Sequence, residues 1–429
     1  MRRVIVVVVL VVSAFGIFGG SEVAQAAPQP ASSVLDWNNT AVSTVRAAGT
    51  FQAEGFIYMA YVEAAVYDAV TAIDGGYQQY RTNLSAPDGA MPEAAVAAAA
   101  HRTLVTYFPA QAPTLDAKYA TALAALPPGA GRDAGVGVGE AAAQAIISMR
   151  AGDVRSGSGG YSFPAPGPGV WALPTPDGTA TAPQTPWIRQ LTPFMLKSAS
   201  QFRPDAPDSI ASEEFARDLA EVQSLGGTSS IARTTDQTNI ARFWTANVIT
   251  QYNVTLRGLA GQRGMGLEES ARLMAMVNMA VGDASIACWD AKYAYSFWRP
   301  VQAVRALGGD PTWRPLLAPT PNHPEYPSAH GCATTAFANA LAVALGTRRI
   351  EVDVPGINPA TGLFDPGYTR HFTSVRDMTT EVVDARVWGG LHYRTSVVTG
   401  VELGSDVARY DLARNFRPVG EEGGQDGDS

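Results

Sequence analysis

Apolar side chains recur every three or four residues along most of this chain, whereas the alternation of polar and apolar residues that marks a β-strand is nearly absent. The pattern is clearest at 56–70, where it predicts the apolar stripe of a buried helix. Comparable stretches lie at 92–107, 113–126, 132–150, 212–225, 236–259, 268–295, 329–345 and 375–415. The sequence therefore predicts an all-α fold.

A segment rich in Gly, Pro, Ser and Thr interrupts this pattern at 152–190. Proline at this density removes backbone donors and blocks helix formation, so we expect irregular structure there. Trp171 and Trp187 lie within the segment and indicate that it packs against the body. We therefore divide the rest of the chain into an N-terminal helical region at 27–151, a second helical region at 191–418 that holds the candidate catalytic residues, and an acidic tail at 419–429.

The N-terminus has the pattern of a secretory signal peptide. Arg2 and Arg3 precede an apolar run that ends near Phe18, and the small residues of Ala24-Gln25-Ala26 follow it. The run is shorter than the ~20 residues needed to span a bilayer, which disfavours an uncleaved anchor. We therefore predict a signal peptide at 1–26, and a secreted, extracytoplasmic protein with no membrane span after its removal.

Composition narrows the classes of function. Apolar residues make up 46% of the chain and charged residues 16%, which excludes disorder as its main state. The net charge of −8 argues against a nucleic-acid partner but leaves a local cationic pocket open. Two cysteines are too few for a disulfide-dense scaffold or a four-thiolate zinc site. Cys288 and Cys332 flank two motifs described below, and both a disulfide and two buried thiols remain open.

The first motif places two cations among aromatic residues. Lys292 and Arg299 are seven residues apart, so on one helix they would lie two turns apart on nearly one face. Pro300 disfavours helix at Arg299 and predicts that this guanidinium stands at a helix end. The aromatic residues at 289–298 indicate a sheltered pair, although a solvated pair is the alternative.

The second motif is Pro327-Ser328-Ala329-His330, which runs directly into a helical stretch. Ser328 near a helix start, with free backbone N–H groups and a histidine beside it, makes an anion-binding site. A capping serine with an incidental histidine is the alternative interpretation.

The third motif contains Arg386, Gly389-Gly390 and His392. On an ideal helix a six-residue offset would put Arg386 and His392 about 120° apart. The two glycines can bend the chain, so we expect both side chains to converge on one ligand. Together the motifs supply three cations, a serine, helix-terminal amides and two histidines, which is what a tetrahedral oxyanion needs.

This pattern resembles the signature of the vanadium-dependent haloperoxidase and type-2 phosphatidic acid phosphatase superfamily, in its secreted bacterial form. That signature is Lys, six residues, Arg-Pro; then Pro-Ser-Gly-His; then Ser-Arg, five residues, His, three residues, Asp. Here Ala329 replaces the Gly, Ala385 replaces the Ser and Ser396 replaces the Asp. The resemblance implies the large helical-bundle domain of that superfamily.

In the haloperoxidases the matching residues hold vanadate. By resemblance, His392 would be the metal ligand and His330 the acid–base catalyst, so both are candidate catalytic residues. The remaining vanadate contacts would come from the cations and from the helix start: Lys292, Arg299, Arg386, the Ser328 hydroxyl and the Ala329 amide. Vanadium would act as a Lewis acid on hydrogen peroxide, and a halide would be oxidised to hypohalous acid, which then reacts with an organic acceptor.

The same shell suits a phosphomonoester, because phosphate and vanadate share shape and nearly the same charge. In a phosphatase His392 would be the nucleophile, His330 would protonate the leaving alcohol, and free phosphate would compete with vanadate for the site. An oxyanion-binding protein without catalysis is a further alternative, against which the pair of histidines argues.

Two features favour the peroxidase. Trp289 and His323 match positions on the halide side in the chloroperoxidase and bromoperoxidase branches, and His323 favours bromide over chloride. Ser396 can orient His392 but cannot compensate a forming positive charge, so we expect its presence to weaken phosphoryl transfer more than halide oxidation. The sequence leaves the assembly state open, with a homodimer as the candidate.

Overall fold

The structure is a computed structural model that describes residues 32–420. The predicted signal peptide at 1–26 lies outside the described residues, as do residues 27–31 of the N-terminal helical region and residues 421–429 of the predicted acidic tail. Helices dominate the described part, so the all-α prediction is confirmed.

The described residues form thirteen α-helices and one β-hairpin. In chain order the helices are α1 (Ser32–Ala47), α2 (Gln52–Asp74), α3 (Pro92–Tyr107), α4 (Ala112–Ala124), α5 (Ala130–Met149), α6 (Glu213–Gly226), α7 (Thr235–Phe243), α8 (Val248–Gln262), α9 (Leu267–Tyr295), α10 (Pro300–Leu307), α11 (Ala329–Ala344), α12 (Val375–Trp388) and α13 (Arg394–Leu412). The hairpin strands are β1 (Val352–Asn358) and β2 (Leu363–Phe372), between α11 and α12.

Helix α9 runs through the core, and its residues from Leu273 to Tyr293 are buried without interruption. It packs against α2, α11 and α13. Helix α2 is long and apolar enough to cross a membrane by length and composition, but 89% of its apolar window is buried inside the protein. Burial on all faces explains why these helices are apolar around their whole circumference.

Two predicted long helices each divide into two. The stretch at 236–259 breaks after Phe243, and α8 restarts where the Asn247 side chain accepts a hydrogen bond from the Thr250 amide at 3.2 Å. The stretch at 375–415 breaks at Gly389-Gly390, where Gly390 has a φ of +75°. The predicted bend at the two glycines is thus present, and it ends α12.

The β-hairpin was not predicted. Its strands pair antiparallel, with Val352 opposite Phe372 and a register irregularity at Pro355/Gly356. Proline and glycine inside both short strands interrupt the alternation that would have revealed them, and β2 is largely exposed.

Helices α11 and α13 approach each other closely through glycines. A Cβ on Gly404 would lie 2.2 Å from the Cys332 carbonyl oxygen, and a Cβ on Gly400 would lie 2.6 Å from the Ser328 carbonyl oxygen. This contact presses the start of α11, which carries the second motif, against the helix that follows His392.

The irregular segment packs on the body as predicted, with Trp171 and Trp187 both buried. The Trp171 amide donates to the Ser296 carbonyl at 2.7 Å, and the segment ends in a 3₁₀ turn at Pro186–Gln190. It therefore covers the C-terminal end of α9, where the first motif lies.

Candidate active site

A cavity at the centre of the second helical region collects most of the predicted site residues. Its lining includes six of them: Trp289, His323, Ala329, His330, Arg386 and His392. Phe51, Phe56 and Val248 add apolar side chains to the lining. Water-sized molecules can occupy about 80 Å³ of it, enough for a tetrahedral oxyanion with a small co-substrate, since one water needs about 10–15 Å³.

Three buried cations surround this cavity. Lys292, Arg299 and Arg386 are each at most 3% exposed. Loss of hydration lowers the pKa of Lys292 to about 8, of Arg299 to about 10 and of Arg386 to about 9. The carboxylate beside these cations is that of Glu325, which hydrogen-bonds to His392. The positive charge of the cluster therefore exceeds its negative charge.

Lys292 stands behind the cavity wall and holds the loop before α11. Its Nζ donates to the carbonyls of Pro324 at 3.0 Å, Glu325 at 2.9 Å and Pro327 at 2.5 Å. Lys292 and Arg299 do not lie on one helix. Helix α9 ends at Tyr295, and Ser296 turns the chain in a left-handed conformation. Arg299 instead precedes α10, as Pro300 predicted.

Arg299 ties the segment around His323 to the segment around His392. Its Nε donates to the His323 carbonyl at 3.0 Å, and its Nη1 donates to the Leu391 carbonyl at 3.0 Å. Nη1 also lies 3.3 Å from Nε2 of His392, and Nη2 lies 3.0 Å from Nδ1 of His323. Like Lys292, this cation bonds to protein groups and stands behind the lining.

Arg386 and His330 present unpaired nitrogens. The Nε of Arg386 and the Nε2 of His330 are both buried without a hydrogen-bond partner, and both residues line the cavity. Burial and the nearby cations hold the pKa of His330 well below its ordinary value, so its imidazole is neutral. Buried polar atoms without partners are costly in a folded protein, so these two indicate a ligand between them.

The carboxylate of Glu325 holds the ring of His392. Its Nδ1 lies 2.7 Å from Oε1 of Glu325, which also accepts the Tyr393 amide at 3.1 Å. The Ser396 hydroxyl donates to Oε2 of the same carboxylate at 2.6 Å. Burial raises the pKa of Glu325 to about 7, while the hydrogen bond from Ser396 and the charge of Arg299 oppose that rise.

These contacts decide which nitrogen of His392 carries the proton. Arginine can only donate, so Nε2 accepts from Arg299 and carries the lone pair. The proton of the neutral ring is then on Nδ1 and is donated to Glu325. Burial and Arg299 hold the pKa of His392 well below its ordinary value, which keeps the ring neutral. The arrangement leaves an unprotonated Nε2 at the cavity wall.

This geometry corrects the role expected of Ser396. Ser396 contacts Glu325 and does not itself orient His392. A carboxylate does reach His392, but it comes from the loop before α11. The expectation that His392 lacks a compensating charge is therefore wrong, and the argument drawn from it against phosphoryl transfer fails.

The start of α11 has the predicted form. Ser328 is the N-cap residue, and its hydroxyl oxygen accepts from the Gly331 amide at 3.4 Å. The hydroxyl proton remains available for donation, and Ala329 at the first helical position lines the cavity.

Trp289 and His323 lie together on one side of the cavity, with ring centroids 5.2 Å apart, and Phe51 packs against both. The Trp289 indole N–H donates to Thr185 at 3.2 Å, so this residue offers the cavity only its ring. Burial and Arg299 hold the pKa of His323 well below its ordinary value. His323 therefore stays neutral around neutral pH.

Cys288 and Cys332 are free and buried in the structure. The Cys288 thiol donates to the Pro327 carbonyl, with Sγ 3.8 Å from the oxygen. Of the two alternatives left open by the sequence, the structure has two buried thiols.

A tetrahedral oxyanion fits these residues better than a bare metal ion. No cluster of three or more His, Cys, Asp or Glu side chains among residues 32–420 could hold a metal ion. The unpaired N–H of Arg386 and the excess of cations favour an anionic group such as vanadate or phosphate.

Glu325 was not predicted as a site residue. It lies between His323 and His330, in the loop before α11, and this loop approaches the third motif. Since Ser396 stands where the superfamily has Asp, a nearby acidic residue in another motif was the signal that could have identified it.

Comparisons with known proteins show which chains this one is similar to. Residues 272–420 match the family described as the VCPO second helical-bundle domain. The chain is 25% identical over 298 residues to a vanadium chloroperoxidase from Curvularia inaequalis, over 52% of this chain and 49% of that protein. The chain therefore spans about half the length of this curated relative.

Solved structures share the fold. A bacterial vanadium-dependent iodoperoxidase superposes with a TM-score of 0.77 at 20% identity, over 92% of this chain and 98% of that chain. A holo-type bacterial vanadium-dependent chloroperoxidase superposes with a TM-score of 0.69 at 18% identity, over 84% of this chain and 91% of that chain. The predicted helical-bundle architecture is thereby confirmed.

Proposed function

Since residues 272–420 match the family described as the VCPO second helical-bundle domain, we propose that this chain is a vanadate-dependent haloperoxidase that uses hydrogen peroxide to oxidise a halide to hypohalous acid. The observation that carries the proposal is a cavity lined by Arg386 and His330, whose buried nitrogens lack partners, with the buried cations Lys292 and Arg299 behind its wall. Vanadium(V), when bound, supplies the Lewis acidity that activates peroxide toward a halide.

The residues of the cavity would hold vanadate in complementary ways. His392 offers the Nε2 lone pair as the metal ligand, and Arg386 offers its unpaired N–H to an oxygen. Ser328 and the amide of Ala329 offer donors at the start of α11. Lys292 and Arg299 contribute positive charge from behind the wall, and their N–H groups would have to exchange protein partners to bind the anion directly.

His330 is suited to proton transfer. Its ring lines the cavity, its Nε2 has no protein partner, and its depressed pKa leaves that ring neutral. A neutral imidazole beside the anion can accept a proton from incoming hydrogen peroxide and return it later in the cycle.

The side of the cavity formed by Trp289 and His323 would receive the halide. The His323 nitrogens and the Arg299 guanidinium make this side more polar than an aromatic wall alone. Oxidising chloride demands a stronger oxidant, which a drier and more electropositive surround favours. We therefore propose that bromide is oxidised in preference to chloride. The organic acceptor would react with the hypohalous acid that leaves the cavity.

One observation favours a second function. The Glu325–His392 pair supplies the carboxylate that a phosphohistidine mechanism uses to stabilise a positively charged ring. Phosphomonoester hydrolysis, with His392 as nucleophile and His330 as acid, therefore remains the alternative, and phosphate would compete with vanadate in either case.

Purified protein assayed with and without orthovanadate separates these functions. We expect peroxide-dependent bromination of a phenol dye that requires vanadate and is inhibited by phosphate. Phosphomonoester turnover that vanadate only inhibits, with no halogenation at any pH, would establish the alternative. Tight oxyanion binding with neither activity would indicate a binding protein.

The compartment and the assembly are further parts of the proposal. The predicted signal peptide at 1–26 supports export, which N-terminal sequencing of protein recovered from the culture medium tests directly. For the assembly we propose a homodimer, and light scattering of the purified chain would show either a dimer or a monomer.

A further inference from the structure

We propose that Glu325, in the loop before α11, is the positioning residue of His392. In the superfamily motif the corresponding carboxylate is an Asp at the position that Ser396 occupies here. The inference rests on the proposed function, since it concerns how His392 is prepared to bind vanadate. Glu325 touches no part of the cavity and would act only through His392.

The contacts of Glu325 fix the imidazole in one orientation. Oε1 accepts both His392 Nδ1–H at 2.7 Å and the Tyr393 amide at 3.1 Å, so the carboxylate is anchored to the backbone next to the ring it holds. Oε2 is occupied by Ser396 at 2.6 Å. With Nδ1 committed to Glu325, only Nε2 can face a ligand, and the negative charge behind the ring makes that nitrogen a better donor.

The placement of Glu325 depends on the first motif. Lys292 Nζ holds the Glu325 carbonyl at 2.9 Å and the carbonyls on either side of it, at Pro324 and Pro327. The backbone that carries the carboxylate is thus clamped from α9. The positioning of His392 therefore depends on the Lys292 motif as well as on the α12–α13 connection.

The serine at 396 is close enough to exchange roles with Glu325. Its Oγ lies 2.6 Å from the carboxylate that contacts His392, and it lies on the first turn of α13, four residues after the histidine. One carboxylate can therefore be moved from 325 to 396 without moving the histidine. The double variant Glu325→Gln/Ser396→Asp carries the charge at the position found in the superfamily.

Glu325→Gln tests charge while preserving shape, because an amide oxygen can still accept from Nδ1 and from the Tyr393 amide. Under the proposed function vanadate would bond to His392, whereas inorganic phosphate would be held by charge and hydrogen bonds alone at equilibrium. We expect Glu325→Gln to weaken vanadate binding about 10–100-fold and to leave phosphate binding unchanged or tighter. The double variant should restore most of the vanadate affinity.

Calorimetric titrations with orthovanadate and with phosphate supply these affinities, and Glu63→Gln is the matched control. Glu63 is likewise buried and hydrogen-bonded, to Asn38 at 2.8 Å, but it does not line the cavity. The control should bind both anions as the parent does. Equal weakening of both anions in Glu325→Gln, or no recovery in a folded double variant, would overturn the inference.

The protonation of His392 in the unmodified protein tests the positioning role of Glu325 even if a Glu325 variant fails to fold. The chain has five histidines, so ¹⁵N labelling of histidine gives few signals, and His392→Ala assigns the one of interest. We expect a neutral ring protonated on Nδ1. A proton on Nε2 would overturn the inference. If the parent binds vanadate with this tautomer but does not halogenate, the proposed function fails and the positioning role stands.

Discussion

Arg386 shows at the residue scale how a binding site conflicts with stability. Its guanidinium is buried with the Nε unpaired, and loss of hydration lowers its pKa to about 9. Such a group destabilises the empty protein and is useful only when an anion is bound. The conflict identifies Arg386 as a residue retained for a ligand.

Arg386→Ala should therefore weaken vanadate binding about 10–100-fold while leaving the melting temperature of the vanadate-free protein unchanged or raised. The exposed Arg348→Ala is the control and should alter neither quantity. Thermal unfolding with and without orthovanadate measures both effects. A large fall in the melting temperature of the vanadate-free variant would mean that Arg386 is structural.

Substitution of His323 tests the halide side. His323→Phe removes a polar ring and frees one Arg299 N–H, so the cavity becomes drier and more electropositive. We expect chlorination to rise relative to bromination, whereas His330→Ala should depress both rates. The measurement is the ratio of the two rates at fixed pH. An unchanged ratio in His323→Phe would reduce this histidine to a packing role.

At the scale of elements, the site depends on how tightly α11 packs on α13. Gly400 and Gly404 allow the two helices to approach until carbonyl oxygens of α11 and its cap fill the space of a side chain. This contact sets the distance between the second and third motifs, and thus between His330 and His392.

Gly404→Ala should destabilise the protein by about 1–3 kcal/mol, because the new methyl group would overlap the Cys332 carbonyl and backbone cannot move cheaply. Gly258→Ala, on the exposed face of α8 with open space around it, should instead stabilise by about 0.5–1 kcal/mol. Denaturant unfolding of both variants gives the comparison. Equal changes in the free energy of unfolding of the two variants would show that the close approach of α11 and α13 contributes little to stability.

Helix positions could be predicted because the apolar spacing is strong where helices are buried, as in 92–107, which coincides with α3. The bend at Gly389 followed from the two glycines, but the break at Trp244 could not be predicted, since apolar residues continue across it and only tertiary packing decides where the chain turns. The cavity residues followed from motif spacing. Glu325 did not, because its contact with His392 joins residues 67 apart in the chain.

For the whole molecule, buried carboxylates make stability depend on pH. Burial raises the pKa of Glu63 to about 7 and that of Asp283 to about 6, above the values of the unfolded chain. Between the unfolded and folded pKa values the native state binds more protons, so the free energy of unfolding falls as pH rises through this range. The contribution of these groups is greatest near pH 4 and is lost by about pH 7.

Glu63→Gln should reduce this dependence. The amide keeps a hydrogen-bond acceptor for Asn38 but cannot ionise, so the loss of stability from pH 5 to pH 8 should shrink by on the order of 1–3 kcal/mol. Denaturant titrations at the two pH values measure it. If the free energy of unfolding of the variant falls between pH 5 and pH 8 as much as that of the parent, Glu63 has an ordinary pKa.

The proposed function requires that vanadate bound among these residues makes the chain a haloperoxidase. The bromide- and peroxide-dependent halogenation rate of vanadate-free protein, titrated with orthovanadate, tests this. We expect a rate that rises from background and saturates at about one vanadate per chain, and that is absent in His392→Ala. A rate that stays at background at every vanadate concentration, in folded protein, would contradict it.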